Sequence, residues 1–127
     1  MKNMKLGIHK LIFFIFSLFI SIETFADTIE GKFVEVQILD KITARVESII
    51  INVNETATFE SLQIEVYACY KTPPEKIPEN FVLLKIYDQI NFESKNLIYQ
   101  GWMISSSPAT TPLEHPIYDL WLKSCKI

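Results

Sequence analysis

All six prolines of this 127-residue chain fall in two short stretches. Pro73, Pro74 and Pro78 lie in one, Pro108, Pro112 and Pro116 in the other. Proline has no N–H to give to a ladder and is excluded from the middle of a sheet. The segments outside the two stretches alternate apolar and polar side chains with a period of two, the pattern of a half-buried strand. The chain therefore reads as paired sheet interrupted by two proline-punctuated loops.

Taken in order, the first strand is expected over 32–39, with Val34, Val36 and Ile38 on one face and Glu35 and Gln37 on the other. Asp40-Lys41-Ile42-Thr43 is a turn-rich break. A second strand over 45–53 carries Ile49-Ile50-Ile51, a β-branched run that fits a strand better than a helix. These two strands are expected to form an antiparallel hairpin. Asn54-Glu55-Thr56 matches a glycosylation sequon, but a turn explains it fully. Thr58-Phe59 reads as a short extended piece. Leu62, Ile64, Val66, Ala68 and Tyr70 then alternate with Gln63, Glu65, Tyr67 and Cys69, which puts Cys69 on the more polar face. Residues 81–87 are a strand opening on the apolar run Phe81-Val82-Leu83-Leu84. Residues 88–96 are turn-like. Residues 97–104 are a further strand, in which Gly101 beside Trp102 predicts a bulge or a close approach. Ser105 to Pro116 is the second loop. In the last strand, 117–125, Tyr118, Leu120 and Leu122 share one face and Asp119, Trp121, Lys123 and Cys125 the other. Six to seven mainly antiparallel strands at short spacing predict an all-β, single-domain β-sandwich or barrel.

The first 26 residues have the anatomy of a cleaved signal peptide. Lys2, Lys5 and Lys10 precede an apolar core from Leu11 to Ile22, and Thr24-Phe25-Ala26 supplies small residues at the cleavage position. Twelve helical residues span about 18 Å, short of a hydrocarbon core of roughly 30 Å. The alternative, a retained anchor, is disfavoured by that length. The expected product is one exported, periplasmic domain, residues 27–127, with no membrane span. The whole chain carries 12 basic and 15 acidic residues, and the leader holds three lysines and Glu23. The exported domain is thus acidic, with no basic stripe, which argues against nucleic acid and anionic membrane surfaces as partners.

Cys69 and Cys125 are the only cysteines. An even count in an exported domain favours a disulfide over two buried thiols. Cys69, Trp102 and Cys125 share residue types with an immunoglobulin arrangement, but Cys125 is too near the terminus for that fold's inter-sheet bridge. A bridge is expected instead to clasp the last strand to the body. His115 is the only histidine after the leader, so neither a metal site nor a cofactor is expected.

Four ordered motifs carry a resemblance. They are Leu39-Asp40-Lys41-Ile42-Thr43-Ala44-Arg45-Val46-Glu47, Ala68-Cys69-Tyr70-Lys71-Thr72-Pro73-Pro74-Glu75, Gly101-Trp102-Met103 with Ser106-Ser107-Pro108-Ala109, and Leu113-Glu114-His115-Pro116 through Tyr118-Asp119 and Trp121 to Cys125. Together they resemble the exported bacterial domain-of-unknown-function family 2155, mostly alphaproteobacterial, over essentially the whole exported domain. The resemblance implies an exported envelope protein with a cysteine pair, and it carries over no catalytic or binding residue.

Two functional readings follow from the last quarter of the chain. Trp102, Trp121, Ser106, Ser107, Glu114, His115, Tyr118 and Asp119 are the candidate binding surface, because aromatic side chains anchor recognition patches. Of the tryptophans, Trp102 is expected in the packed interior and Trp121, beside Asp119 and Lys123, exposed. The expected function is a non-catalytic binding or assembly module for another envelope protein or a cell-wall glycan. The alternative is a small hydrolase or sugar-active enzyme built on the Ser105–His115 loop. A triad needs a serine within reach of its base and an oriented carboxylate. The loop offers Ser105, Ser106, Ser107, Glu114, His115 and Asp119 but no Gly-x-Ser-x-Gly elbow.

Overall fold

The hairpin expected at the start forms without interruption. In the computed structural model, which describes residues 27–127 except 92 and 93, together with Gly7, β2 (Phe33–Asp40) pairs antiparallel with β3 (Arg45–Asn52) through eight consecutive residue pairs. The expected leader, apart from Gly7, lies outside the described residues. Asp40 makes the turn between these strands. Its carboxylate accepts the N–H groups of Ile42 at 2.8 Å and Thr43 at 3.2 Å, and Ala44 takes a positive φ of 56°.

The other described strands are β1 (Ile29–Glu30), β4 (Thr56–Phe59), β5 (Leu62–Lys71), β6 (Asn80–Asn91), β7 (Ser94–Ile104) and β8 (Tyr118–Lys126), with one 3-10 turn at Pro108–Thr110. β8 pairs with the far side of β2, giving a three-stranded sheet in the order β3-β2-β8. The second sheet runs β5-β6-β7, with β1 and β4 sharing the free edge of β5. All pairings are antiparallel. Two such layers, each apolar on its inner face, make a sandwich. Val34, Val36, Ile38, Leu120 and Leu122 of the smaller sheet are buried against Leu62, Ile64, Val66, Val82, Leu84 and Ile86 of the larger. Residues 88–91 and 94–96, expected as part of a turn, instead extend β6 and β7, with register shifts between Ile86 and Tyr87 and between Asp88 and Asn91. The proline stretches are the two long loops.

Two bulges correct the expected position of both cysteines. In β5 the register shifts between Val66 and Ala68, so Tyr67 is the extra residue and Cys69 turns into the core. In β8 the partner of Glu35 is Ser124 and that of Val36 is Leu122, so Lys123 is the extra residue and Cys125 joins the inner face of Leu122. Strict alternation puts both cysteines on the outer faces, and one inserted residue in each strand reverses that. Cys69 and Cys125 form a disulfide with their Cα atoms 5.9 Å apart. The bridge joins the two sheets, which corrects the expectation that nearness to the terminus forbids it.

The tryptophans exchange their expected environments. Met103 faces the core, so its neighbour Trp102 points outward and is 44% exposed. Trp121 is half-buried on the outer face of the smaller sheet, where its indole N–H donates to Gln37 Oε1 at 3.0 Å. The register of β7 runs straight through Gly101, which takes a φ of +154°, and the bulge lies instead at Ile98.

Candidate functional site

The second proline loop runs alongside β6 and is tied down at both ends of that strand. At the start of β6, Glu79 accepts Ser105 Oγ at 2.8 Å and the Ser106 N–H at 3.0 Å, while Ser106 Oγ bonds its other oxygen. Asn80 N–H donates to Ser105 Oγ at 3.1 Å. Burial raises the pKa of the Glu79 carboxyl, but the Ser106 and Ser105 hydroxyls and two backbone N–H groups outweigh it and leave the pKa lowered. Eight residues further along β6, Asp88 meets His115. At about 3.3 Å per residue these two anchor points are roughly 25 Å apart.

His115 is buried and has both ring nitrogens engaged. Nδ1 accepts the N–H groups of Ile117 at 3.2 Å and Tyr118 at 3.0 Å. Since a backbone N–H can only donate, the proton sits on Nε2, which donates to Asp88 Oδ2 at 3.2 Å. The imidazole stacks on Tyr118, with ring centroids 5.3 Å apart. Lys41, from the β2–β3 turn, donates to the His115 carbonyl at 2.6 Å and pairs with Asp119 at 3.0 Å. Burial, with Glu60, Asp40 and Asp88 nearby, raises the Tyr118 phenol above its ordinary pKa.

The structure thus separates the residues expected to act together. Ser105 and Ser106 serve Glu79 at one end of the sandwich, and His115 serves the loop backbone at the other. No serine hydroxyl shares a hydrogen bond with His115 among the described residues, so a Ser–His pair is not assembled. Ser107 and Glu114 are exposed, Tyr118 is half-buried, and Asp119 flanks Trp121 on the smaller sheet. Pro108, Pro112 and Leu113 pack beside Trp121 around a depression of about 220 Å³. Only Trp102, of the eight, lies on the outer face of the larger sheet. Among the described residues no three His, Cys, Asp or Glu side chains converge, and no helix is long and apolar enough to cross a membrane.

A surface that the sequence reading missed lies around Trp102. Directly opposed residues of antiparallel strands point to the same side. The registers align Tyr70, Phe81 and Ile104 in one row, and Ala68, Leu83 and Trp102 in the next. Glu65, Lys85 and Gln100 follow, then Gln63, Tyr87 and Leu97. The first two rows are apolar throughout. Trp102 and Tyr70 lie 6.0 Å apart, tilted by 33°, and with Thr28 and Phe81 they line a depression of about 280 Å³. The bulged Tyr67 adds a ring that is 41% exposed. Its hydroxyl donates to Glu65 at 2.8 Å, Lys95 pairs with Glu65 at 2.9 Å, and Lys85 lies over the Tyr67 ring. These Lys95 and Tyr67 hydrogen bonds hold the Glu65 carboxyl below its usual pKa. The signal was the run Phe81-Val82-Leu83-Leu84. An antiparallel strand apolar on both faces implies an apolar outer surface as well as a core.

Comparison with known proteins follows the same residues. A family model described as an uncharacterized protein conserved in bacteria (DUF2155) matches residues 34–125, from the first buried valine of β2 to the bridged cysteine of β8. An uncharacterized protein of Rickettsia prowazekii (strain Madrid E) is 36% identical over 87 residues, covering 68% of this chain and 56% of that protein. The match therefore spans about half the length of that relative. No solved structure matches. With its core strands, both cysteines and both loops inside the matched span, the chain belongs to the DUF2155 family of bacterial proteins.

Proposed function

We propose that this protein is an exported, periplasmic binding module, without catalysis of its own, that holds another envelope protein or a cell-wall glycan on the outer face of its larger sheet. One observation carries the reading: two rows of apolar and aromatic side chains lie on the outer face of the larger sheet, with Trp102 44% exposed and Tyr70, Phe81, Leu83 and Ile104 partly exposed around it. Uncovered clusters of this kind, rimmed by polar groups, mark interaction sites, and Trp and Tyr are the side chains that anchor them. The Glu65–Lys95–Lys85 network supplies that polar rim. The leader-like residues 1–26 and the Cys69–Cys125 bridge support placement in an oxidising compartment.

The test is photo-crosslinking in the exporting cell from a probe replacing Leu83, with a control probe at the exposed Glu75. Co-sedimentation with purified cell-wall sacculi runs in parallel. We expect either a discrete protein adduct from position 83 alone or co-sedimentation with sacculi, and loss of that signal in Trp102→Ala. If an exported, folded protein gives neither signal, the reading fails.

A further inference from the structure

A sandwich of two open sheets has four edges, each with a row of unpaired backbone donors and acceptors. Natural proteins blunt such edges with short strands, bulges, charges or a covering loop. Three of the four are treated in this way. The outer edge of β5 carries only the two-residue β1 and the four-residue β4. β7 is broken by the bulge at Ile98, and Tyr99 Oη caps the Trp102 carbonyl at 3.0 Å. β8 is flanked by the loop prolines beside Trp121, and its Cys125 N–H donates to Asn80 Oδ1 at 2.9 Å.

Of these devices β3 has only charge, Arg45 and Glu47, which lie on the row opposite Asp40 and Ile38 and not on its outward row. It is eight residues long with no register shift against β2, and it holds no proline, glycine or lysine. Apart from the Asn52 carbonyl, which takes the Glu55 N–H at 3.1 Å, no described residue bonds the backbone of its outer edge. Its outward row is Val46, Ser48, Ile50 and Asn52, with Val46 52% and Ile50 60% exposed. An unbroken β-branched edge of this length is a template for a further strand.

We propose that the strand it takes is β3 of a second copy of this chain, paired antiparallel about a two-fold axis at Ser48. Self-pairing suits this sequence in one register. Centred on Ser48, it sets Val46 against Ile50 twice and Ser48 against Ser48, while Glu47 meets Ile49 and Arg45 meets Ile51. Such β-branched cross-strand pairs are favourable. Centring on Glu47 would place two glutamates directly opposite. Centring on Ile49 would set Val46 against Asn52 and Ser48 against Ile50. The product is a continuous six-stranded sheet across two molecules, with the Trp102 faces left free. The inference does not depend on the binding role of those faces.

Sedimentation velocity on the disulfide-intact protein, with and without Ile50→Lys, tests it together with engineered cysteines. The side chain of Ile50 is mostly exposed, so the lysine leaves the monomer fold intact, which far-UV circular dichroism checks. We expect a concentration-dependent dimer whose dissociation constant rises at least tenfold in Ile50→Lys. Opposed residues of an antiparallel pair lie about 4.5–5.5 Å apart at Cα, within disulfide range. Ser48→Cys should therefore link to itself on mild oxidation. Val46→Cys should link to Ile50→Cys in a mixture but not to itself. A protein that stays monomeric at about 100 µM, on the order of a weak dimer's range, overturns the proposal. So does a dimer that Ile50→Lys leaves intact, or one whose position-48 cysteines do not join.

Discussion

Gly31 shows how closely single positions are set around the bridge. Its N–H donates to the Cys69 carbonyl at 2.8 Å. A Cβ there would stand 3.1 Å from the Lys126 carbonyl oxygen and 3.2 Å from the Cys125 Cβ. Neither neighbour is a flexible side-chain end, since one is ladder backbone and the other a bridged cysteine. Gly31→Ala should therefore destabilise the fold by about 1–2 kcal/mol. Overpacking of about 1–3 kcal/mol outweighs the gain of about 0.4–1 kcal/mol from a stiffer unfolded chain. Urea unfolding of the oxidised protein measures it, and an unchanged or raised midpoint would mean that the strand ends yield freely. The requirement for glycine is invisible in the sequence, where Gly31 only precedes the first expected strand. It arises because β1 crosses beside both halves of a bridge that joins residues 56 apart.

Among elements, the two bulged strands and the second loop matter most. Alternation located β5 and β8 correctly, yet it assigned the wrong side to everything after Tyr67 in one and after Lys123 in the other. A bulge leaves no period of its own; Tyr67 and Lys123 are extra residues only relative to β6 and β2. The loop is a different case. Its histidine was legible as the chemically distinctive residue, but its work is to hold the loop's own backbone. His115→Ala would leave two partly buried N–H donors and the Asp88 carboxylate without their partner. Unsatisfied buried groups cost about 1–3 kcal/mol each, so the expected loss is about 3 kcal/mol with β-sheet content retained. Thermal unfolding followed by circular dichroism reads this directly. A loss below about 1 kcal/mol would show that the loop is held chiefly by Lys41 and by the Ser105–Glu79 end.

At the scale of the whole molecule, three glutamates set the acid limit of stability together with Asp40, whose carboxyl is lowered by the Thr43 and Ile42 hydrogen bonds of its turn. Glu35 accepts Lys126 at 2.8 Å and Lys123 at 2.9 Å, and these bonds lower its pKa to about 2. Glu65 is lowered by Lys95 and Tyr67, and Glu79 by the serine hydroxyls against the opposing effect of burial. A carboxyl whose folded pKa lies below its unfolded value stabilises fully above the unfolded value, about 4.5. That stabilisation is lost as the pH falls through the folded value. The unfolding midpoint should therefore hold steady from pH 7 to about pH 5 and decline toward pH 2. Glu35→Gln should flatten the lowest part of the decline, and an unaltered profile would remove Glu35 from the account. What the sequence alone determined is the main strands, the two loops and the all-β class, because proline exclusion and period-two patterning are local properties of the chain, and the family, because its ordered motifs are carried by the residues themselves. Tertiary structure decided which way the cysteines and tryptophans face, because register and bulges exist only between strands. It also decided that Ser105 and Ser106 are tied to Glu79 and His115 to Asp88, anchor points roughly 25 Å apart along β6, because a loop of a dozen residues can span most of a strand's length.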